Sequence, residues 1–329
     1  MPQPGSPAAT AARSPTLAIL ALLAVAPLGA WLTGFDYLIP IGTQILIYAL
    51  AASSLNLLVG YAGVFSLGHA AFIAVGAYAV AISAQYAGPG QAGYGAALWN
   101  QALITWPAAV LIAGVVSFLM ALVCMKREGL TLAMITLAMG QMIYLLLVAL
   151  KSFGGDDGLN MYPRNFIGPF RFEGDTSFYY LSFAVLVAYL LAIHLLMRSR
   201  LGRVVDAVAI NPIRTAALGF SVYWTRVACF VFAAVGAALA GVLFANANEF
   251  VSPNLGNWSV TGELLVMIVV GGIATKAGPL LGAFFYIAIL HVASDYFEQT
   301  GLILGAIVIA VVLLMPRGLI RLFERSQAA

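Results

Sequence analysis

Long apolar runs separated by short polar stretches order the whole chain. A helix crossing the hydrocarbon core of a membrane needs about 20 mostly apolar residues. Windows of that kind fall at residues 16–33, 39–59, 63–84, 103–124, 130–150, 178–197, 226–247, 260–275, 278–292 and 301–315. The pattern predicts an all-α polytopic membrane protein with about ten transmembrane helices. The interval 260–292 also admits a broken or re-entrant pair in place of two full spans. Residues 1–15, rich in Pro, Ala and Ser, read as a disordered cytoplasmic tail ahead of a transmembrane domain over 16–329.

Composition agrees with the pattern: 63% of residues are hydrophobic and 8% charged, against roughly 45–50% and 25% in a soluble domain. Charge adds the orientation, because Lys and Arg collect in short cytoplasmic loops. With the N-terminus inside, twelve of the 15 basic residues face the cytoplasm, among them Lys126, Arg127, Arg198, Arg203, Lys276 and Arg321. Lys151, Arg164 and Arg171 lie outside, with Asp156, Asp157, Asp175 and Glu249. Both termini are expected in the cytoplasm. The net charge of +3 is thereby a matter of topology and gives no sign of nucleic-acid binding. Cys124 and Cys229 fall near cytoplasmic helix ends, where thiols stay reduced. Three dispersed His and two Cys offer no metal-site spacing, and no cofactor is expected.

The longest polar interruption, 198–226, is more than a connection between spans needs. Arg198-Ser-Arg-Leu-Gly-Arg203 opens it, Asn211-Pro212 breaks it, and Leu218-Gly219-Phe220 closes it. Pro ends one helix and can begin the next, so two short helices are expected on either side of Asn211. Such an element offers an apolar face to a partner outside the bilayer, with Arg203 and Asp206 fixing its register.

Inside the spans, small and polar residues mark candidate chemistry. In Gly60-Tyr-Ala-Gly63-Val-Phe-Ser66-Leu-Gly68-His69, the glycines allow either close packing of helices or a break lined by a cavity. Ser66 and His69 are its polar members; an intramembrane His is a functional candidate, and equally a structural hydrogen-bonding group. Thr136, Gly140 and, less closely, Gln141 share a helical face, suited to lining a path or to bonding between helices. Glu263, in Thr261-Gly-Glu263, sits near the external interface, with Thr261 expected to cap its helix. Ser66, His69, Thr136, Gln141 and Glu263 are the candidates for a translocation pathway. Ser152-Phe-Gly-Gly-Asp-Asp-Gly158 is a compact turn at the start of the longest external loop, without the spaced oxygens of a calcium site. No phosphate-binding GxxxxGK[ST] pattern occurs, so ATP-driven work would need a separate ATPase.

Taken together, the GYAG, SLGHAAF and GAY stretches at 60–78, the LAM and TLAMGQM stretches at 132–142, GGDDGL at 154–159, and GVLF with VSP at 241–253 resemble permease subunits of binding-protein-dependent ABC importers for branched-chain amino acids. TGE at 261–263, the paired glycines at 271–272 and Pro316-Arg-Gly-Leu319 resemble the M-type subunit rather than its H-type partner. The resemblance implies the ABC importer permease fold in a bacterial inner membrane. It further implies a second, H-type permease, two cytoplasmic ATPases and a periplasmic substrate-binding protein. The insert would be the ATPase-coupling element, carried by Gly202, Arg203, Asp206, Asn211, Arg214, Leu218 and Gly219. Ala207 to Pro212 departs from the family by lacking its charged residues, so docking rests on Arg203, Asp206 and Arg214 with apolar contacts, or on a divergent partner.

Two other classes remain on the residues alone. An ion-coupled secondary transporter needs buried carboxylates, and only Glu263 lies near the membrane interior. An intramembrane enzyme needs a convergent nucleophile, acid and base, which the sequence does not display. Within the importer class, urea, amides and aromatic acids are the alternative small-molecule substrates.

Overall fold

The computed structural model describes residues 13–35, 37–86, 101–161, 164–167, 170–171 and 174–296, with isolated positions 301, 305, 308–309 and 318–320. The expected span 301–315, the tail before residue 13 and Arg321 lie wholly or mostly outside the described residues.

Apolar runs become helices in the order the pattern dictates. They are α1 (Arg13–Thr33), α2 (Leu38–Asn56), α3 (Ala70–Tyr86), α4 (Ala102–Cys124), α5 (Gly129–Ala149) and α6 (Asp175–Arg198). The insert supplies α7 (Arg200–Ile210) and α8 (Pro212–Ala217), and α9 (Val222–Asn248), α10 (Trp258–Gly271) and α11 (Gly278–Tyr296) follow. A wider helical turn, Leu57–Tyr61, extends α2, and with it five helices are long and apolar enough to cross a membrane. Four shorter apolar helices accompany them. The chain is thus an all-α polytopic membrane protein.

Polar residues set the starts. Ser199, Asn211, Ser221 and Asn257 accept N–H groups from the first turns of α7, α8, α9 and α10, and Pro212 occupies the first position of α8. Each cap satisfies a donor that the helix itself leaves unpaired. The two helices expected around Asn211-Pro212 are therefore present.

The core lies around α9, packed against α2, α3 and α4, with Phe72 meeting Phe230 edge to face at 5.5 Å between ring centres. Alanine and glycine dominate the contact between α3 and α9, which suits a medium where helices gain by close packing rather than by leaving water. At one end of the bundle, β1 (Leu159–Asn160) pairs antiparallel with β4 (Phe250–Val251), and β2 (Phe166–Ile167) with β3 (Phe170–Arg171). The Asp156-Asp157 turn before β1 contains Gly154 and Gly158, both at φ of 82°, as its glycines predict.

Three expectations need correction. The window 63–84 is not one helix: residues 62–69 carry no helix, and α3 starts only at Ala70. The interval 260–275 is not a full span, since α10 has 14 residues and is about 21 Å long against a core of about 30 Å. Thr261 does not cap α10, because Asn257 does; Thr261 serves α3 instead.

Candidate functional site

The chain between α2 and α3 sets the site. Val64, Ser66 and Gly68 are buried, while Gly63 and Phe65 are exposed, the alternation of an extended segment half covered by protein. Gly68 lies against Gly140 of α5. A Cβ on Gly140 would stand 2.8 Å from Gly68 Cα, so the approach requires glycine. Thr136, one turn earlier on α5, accepts the Leu67 N–H at 3.2 Å and donates to the Ala133 carbonyl at 2.9 Å. These contacts fall about 10 to 16 Å along α5 from its start. The extended segment therefore runs beside the middle of a membrane-length helix.

At that level α3 begins, and its Ala70 N–H donates to Thr261 Oγ1 of α10 at 3.0 Å. The Pro253–Gly256 turn that precedes α10 comes to the same place, with Gly256 against Ala71, Ala74 and Tyr144. Two helices, α3 and α10, thus start side by side inside the protein, each after a stretch of non-helical chain. Breaks of this kind are tolerated at membrane depth only where protein covers the freed backbone groups or a water-filled cavity does.

Ser66 and His69 are both fully buried in the break. His69 Nε2 is 2.8 Å from Ser54 Oγ, which also donates to the Ala51 carbonyl at 2.7 Å. The single hydroxyl proton of Ser54 is committed to that carbonyl, so Nε2 carries the imidazole hydrogen and Ser54 accepts it. His69 Nδ1 is left as a bare acceptor, and neither it nor Ser66 Oγ has a partner among the described residues.

The break thereby brings together Ser66, His69 and Thr136 from the sequence candidates. It leaves out the other two. Gln141 is half-buried, about 100° around α5 from Gly140. Glu263 lies half-buried on α10, with Tyr286 of α11 and Tyr48 of α2 close by. Sequence reasoning missed Ser54 and Asn56, whose signal was a polar residue inside an apolar run. Asn56 holds the turn between α10 and α11: its Oδ1 accepts the Ala274 N–H and its Nδ2 donates to the Thr275 carbonyl, both at 3.0 Å. Arg164 was recognised only as an external charge. It pairs with Asp175 at 3.2 Å and Glu249 at 3.0 Å and lies 5.5 Å above the Phe178 ring.

The insert forms a second site at the other end of the bundle. Gly202 packs on the carbonyls of Leu196 and Met197, where no side chain would fit. Arg203 and Arg214 are exposed, and Asn211 caps α8 through the Arg214 N–H at 2.9 Å. Asp206 is half-buried beside Tyr61, and that burial raises its carboxyl above the usual carboxylate range. Gly219 closes the element at φ of 88°. Ile210, Ile213 and Leu218 are 71%, 83% and 71% exposed, large apolar surfaces on, or directly after, helices of 11 and 6 residues that are too short to span a membrane.

The chain is 26% identical to the high-affinity branched-chain amino acid transport system permease protein LivM of Salmonella typhimurium. It is 27% identical to the LivM of Escherichia coli, and each match covers 86% of this chain and 69% of the relative. No solved structure matches the chain. A family model described as the permease component of branched-chain amino acid transport systems matches residues 37–314, a range that contains the break, the insert and both half-helices. The chain belongs to the family of branched-chain amino acid transport permeases, whose members are membrane-embedded transport subunits and not enzymes.

Proposed function

We propose that the chain is the M-type permease of an ATP-driven, binding-protein-dependent importer of branched-chain amino acids in a bacterial inner membrane. Its two matched relatives carry that substrate class in their names. The transmembrane domain over 16–329 has about ten membrane helices, α10 among them as a half-helix rather than a full pass, with a cytoplasmic tail over 1–15 and both termini in the cytoplasm. Support for the orientation comes from the pairing of loops: Glu128 pairs with Arg226 and His194 with Lys276 among the loops assigned to the cytoplasm, and Arg164 with Asp175 and Glu249 among those assigned outside.

The partners are an H-type permease, two cytoplasmic ATPases and a periplasmic binding protein. The observation that carries this reading is the apolar surface of the insert, for which neither lipid nor water is a suitable cover. Ile210, Ile213 and Leu218 enter a groove of the ATPase, and Arg203 and Arg214 fix the register by charge. Asp206 completes that charged set from its half-buried place beside Tyr61. The translocation pathway passes through the break at residues 62–69, where Ser66, His69 and Thr136 lie. Gln141 stands farther along α5, and Glu263 borders the path from α10.

In the reconstituted complex, Arg203→Glu combined with Leu218→Asp should abolish substrate-stimulated ATP hydrolysis while the permease pair stays assembled. Stimulated hydrolysis at the wild-type rate would remove the insert from the coupling role. For the orientation, single cysteines at Arg200 and Asp157, in a chain lacking Cys124 and Cys229, should react with impermeant reagents from opposite sides. Labelling from one side would overturn the pass count between them.

A further inference from the structure

A cavity of about 320 Å³ lies under α1, between α1 and α6, with α2 as its floor and the α10–α11 turn at its end. Its walls are mainly aliphatic, from Leu17 and Leu20 of α1 and Val187, Leu190 and Leu191 of α6. Two features make it more than a packing gap. The hydroxyls of Ser53 and Thr16 line it, buried and without partners among the described residues. At its end the basic side chain of Lys276 stands 2.9 Å from His194 Nδ1. Apolar walls, uncommitted hydroxyls and a cation are the complement of an amphiphile with an anionic head.

The surroundings decide which amphiphile. Leu17 and Leu191 line the cavity, yet are 64% and 55% exposed, so the mouth opens through apolar surface that faces hydrocarbon in a membrane. A solute arriving from water would have to cross that surface. Lys276 belongs to the turn that ends α10, and Thr16 to the start of α1, which puts the polar end of the cavity at headgroup depth. Basic pockets of this depth between membrane helices select anionic lipid headgroups.

We propose that this cavity binds one anionic phospholipid of the cytoplasmic leaflet, its phosphate on Lys276 and the Ser53 and Thr16 hydroxyls, and one acyl chain along α1 and α6. The leaflet follows from the orientation proposed above; the site itself does not depend on it. Met197 ties the site to the insert, since it lines the cavity and its carbonyl packs on Gly202. Asn56 ties it to the α10–α11 turn, through the hydrogen bonds to Ala274 and Thr275. A lipid seated there braces α1, that turn and the root of the insert together.

The test is native mass spectrometry of the full-length chain, released from membranes of phosphatidylethanolamine and phosphatidylglycerol. Wild type should retain one phosphatidylglycerol. Lys276→Gln should retain it about fivefold less, the effect expected of one basic residue at a membrane surface. Ser53→Leu, which fills the floor and keeps the charge, should also lose it. Glycerol 3-phosphate at millimolar concentration should leave the bound lipid in place, because the acyl chain contributes most of the hold. Equal retention by wild type and Lys276→Gln, or retention of phosphatidylethanolamine in place of phosphatidylglycerol, would overturn the proposal. Displacement by glycerol 3-phosphate would do the same for the acyl-chain part.

Discussion

Thr261→Val tests whether the two half-helices depend on each other. Thr261 is fully buried, and its hydroxyl receives the Ala70 N–H at 3.0 Å. Valine keeps the shape of threonine, so the substitution leaves no cavity and changes one thing: the first N–H of α3 loses its acceptor. An unpaired buried backbone donor costs about 1–3 kcal/mol, and helix-capping substitutions fall in the same range, about 0.5–2 kcal/mol. Side-chain hydrogen bonds between membrane helices average only about 0.6 kcal/mol, because the separated helices find other partners. Ala70 is less able to do so: its N–H is fixed at a helix start, and the preceding segment cannot wind into another turn while Gly68 is held against Gly140. The expected loss is therefore about 1–2 kcal/mol, a factor of roughly 5 to 30 in the folding equilibrium. Unfolding of the purified chain in mixed micelles, titrated with dodecyl sulfate and followed by tryptophan fluorescence, measures it. Thr261→Ser keeps the acceptor and should lose less than half as much. A wild-type transition for Thr261→Val, or equal losses for Val and Ser, would show that α3 and α10 do not share this bond.

Three other outcomes follow from local geometry. Asp206 has its carboxyl raised by burial, so the fold binds its proton more tightly than the unfolded chain does, and native stability falls as pH rises past the ordinary aspartate value. Asp206→Asn should accordingly raise the thermal midpoint at pH 7, with the gain shrinking as pH is lowered toward 4; a gain independent of pH would refute the burial argument. Ala274 holds φ of 60° in the turn on Asn56, a left-handed conformation costing about 1–2 kcal/mol for a residue with a side chain. Ala274→Gly should stabilise the chain in the same micelle titration, and a loss of stability would show that the alanine methyl has a packing role. Gly63→Ala meets open space, with Ala209 3.8 Å from the added carbon, but must hold φ of 65°. It should lower the transport rate per ATP hydrolysed in proteoliposomes, whereas Gly34→Ala, at φ of 73° and in open space away from the insert, should not; equal effects would show that backbone strain anywhere in the chain suffices.

The sequence made the apolar helices legible, because twenty-residue runs and the separation of basic from acidic loops survive any detail of packing. The insert was legible for a similar reason: Pro212 after Asn211 is a local signal, and local signals decide short helices. What failed was length along the axis. The window 63–84 is mainly apolar, yet its first residues are extended because Gly68 must meet Gly140 and Leu67 must reach Thr136, contacts some 70 residues apart in the chain. Apolarity says that a segment is buried and not that it is helical. Thr261 looked like a cap for its own helix, since the donor it serves comes from residue 70, and no pattern near 261 reports that. Ser54 and Asn56 stood in an apolar run as ordinary small polar residues, and only their partners, His69 and the 274–275 backbone, set them apart.

Those long-range contacts also explain why the break sits where it does. The end of α2 touches three things at once. Asn56 grips the α10–α11 turn, Tyr61 faces Asp206 of the insert, and Gly63 lies beside Ala209. The chain then enters the extended segment directly, with no intervening loop to absorb a displacement. A rigid helix in place of residues 62–69 would carry any movement of the insert straight through the bundle, and a flexible loop would dissipate it. The extended segment is fixed at both ends: Leu67, Gly68 and Ala70 are held to α5 and α10, and Ala62 and Val64 donate back to the Leu57 and Leu58 carbonyls beside Ala209 of α7. Its two ends thus contact different elements, α7 at one and α5 and α10 at the other, and a change in the relative position of those elements must be taken up within these eight residues.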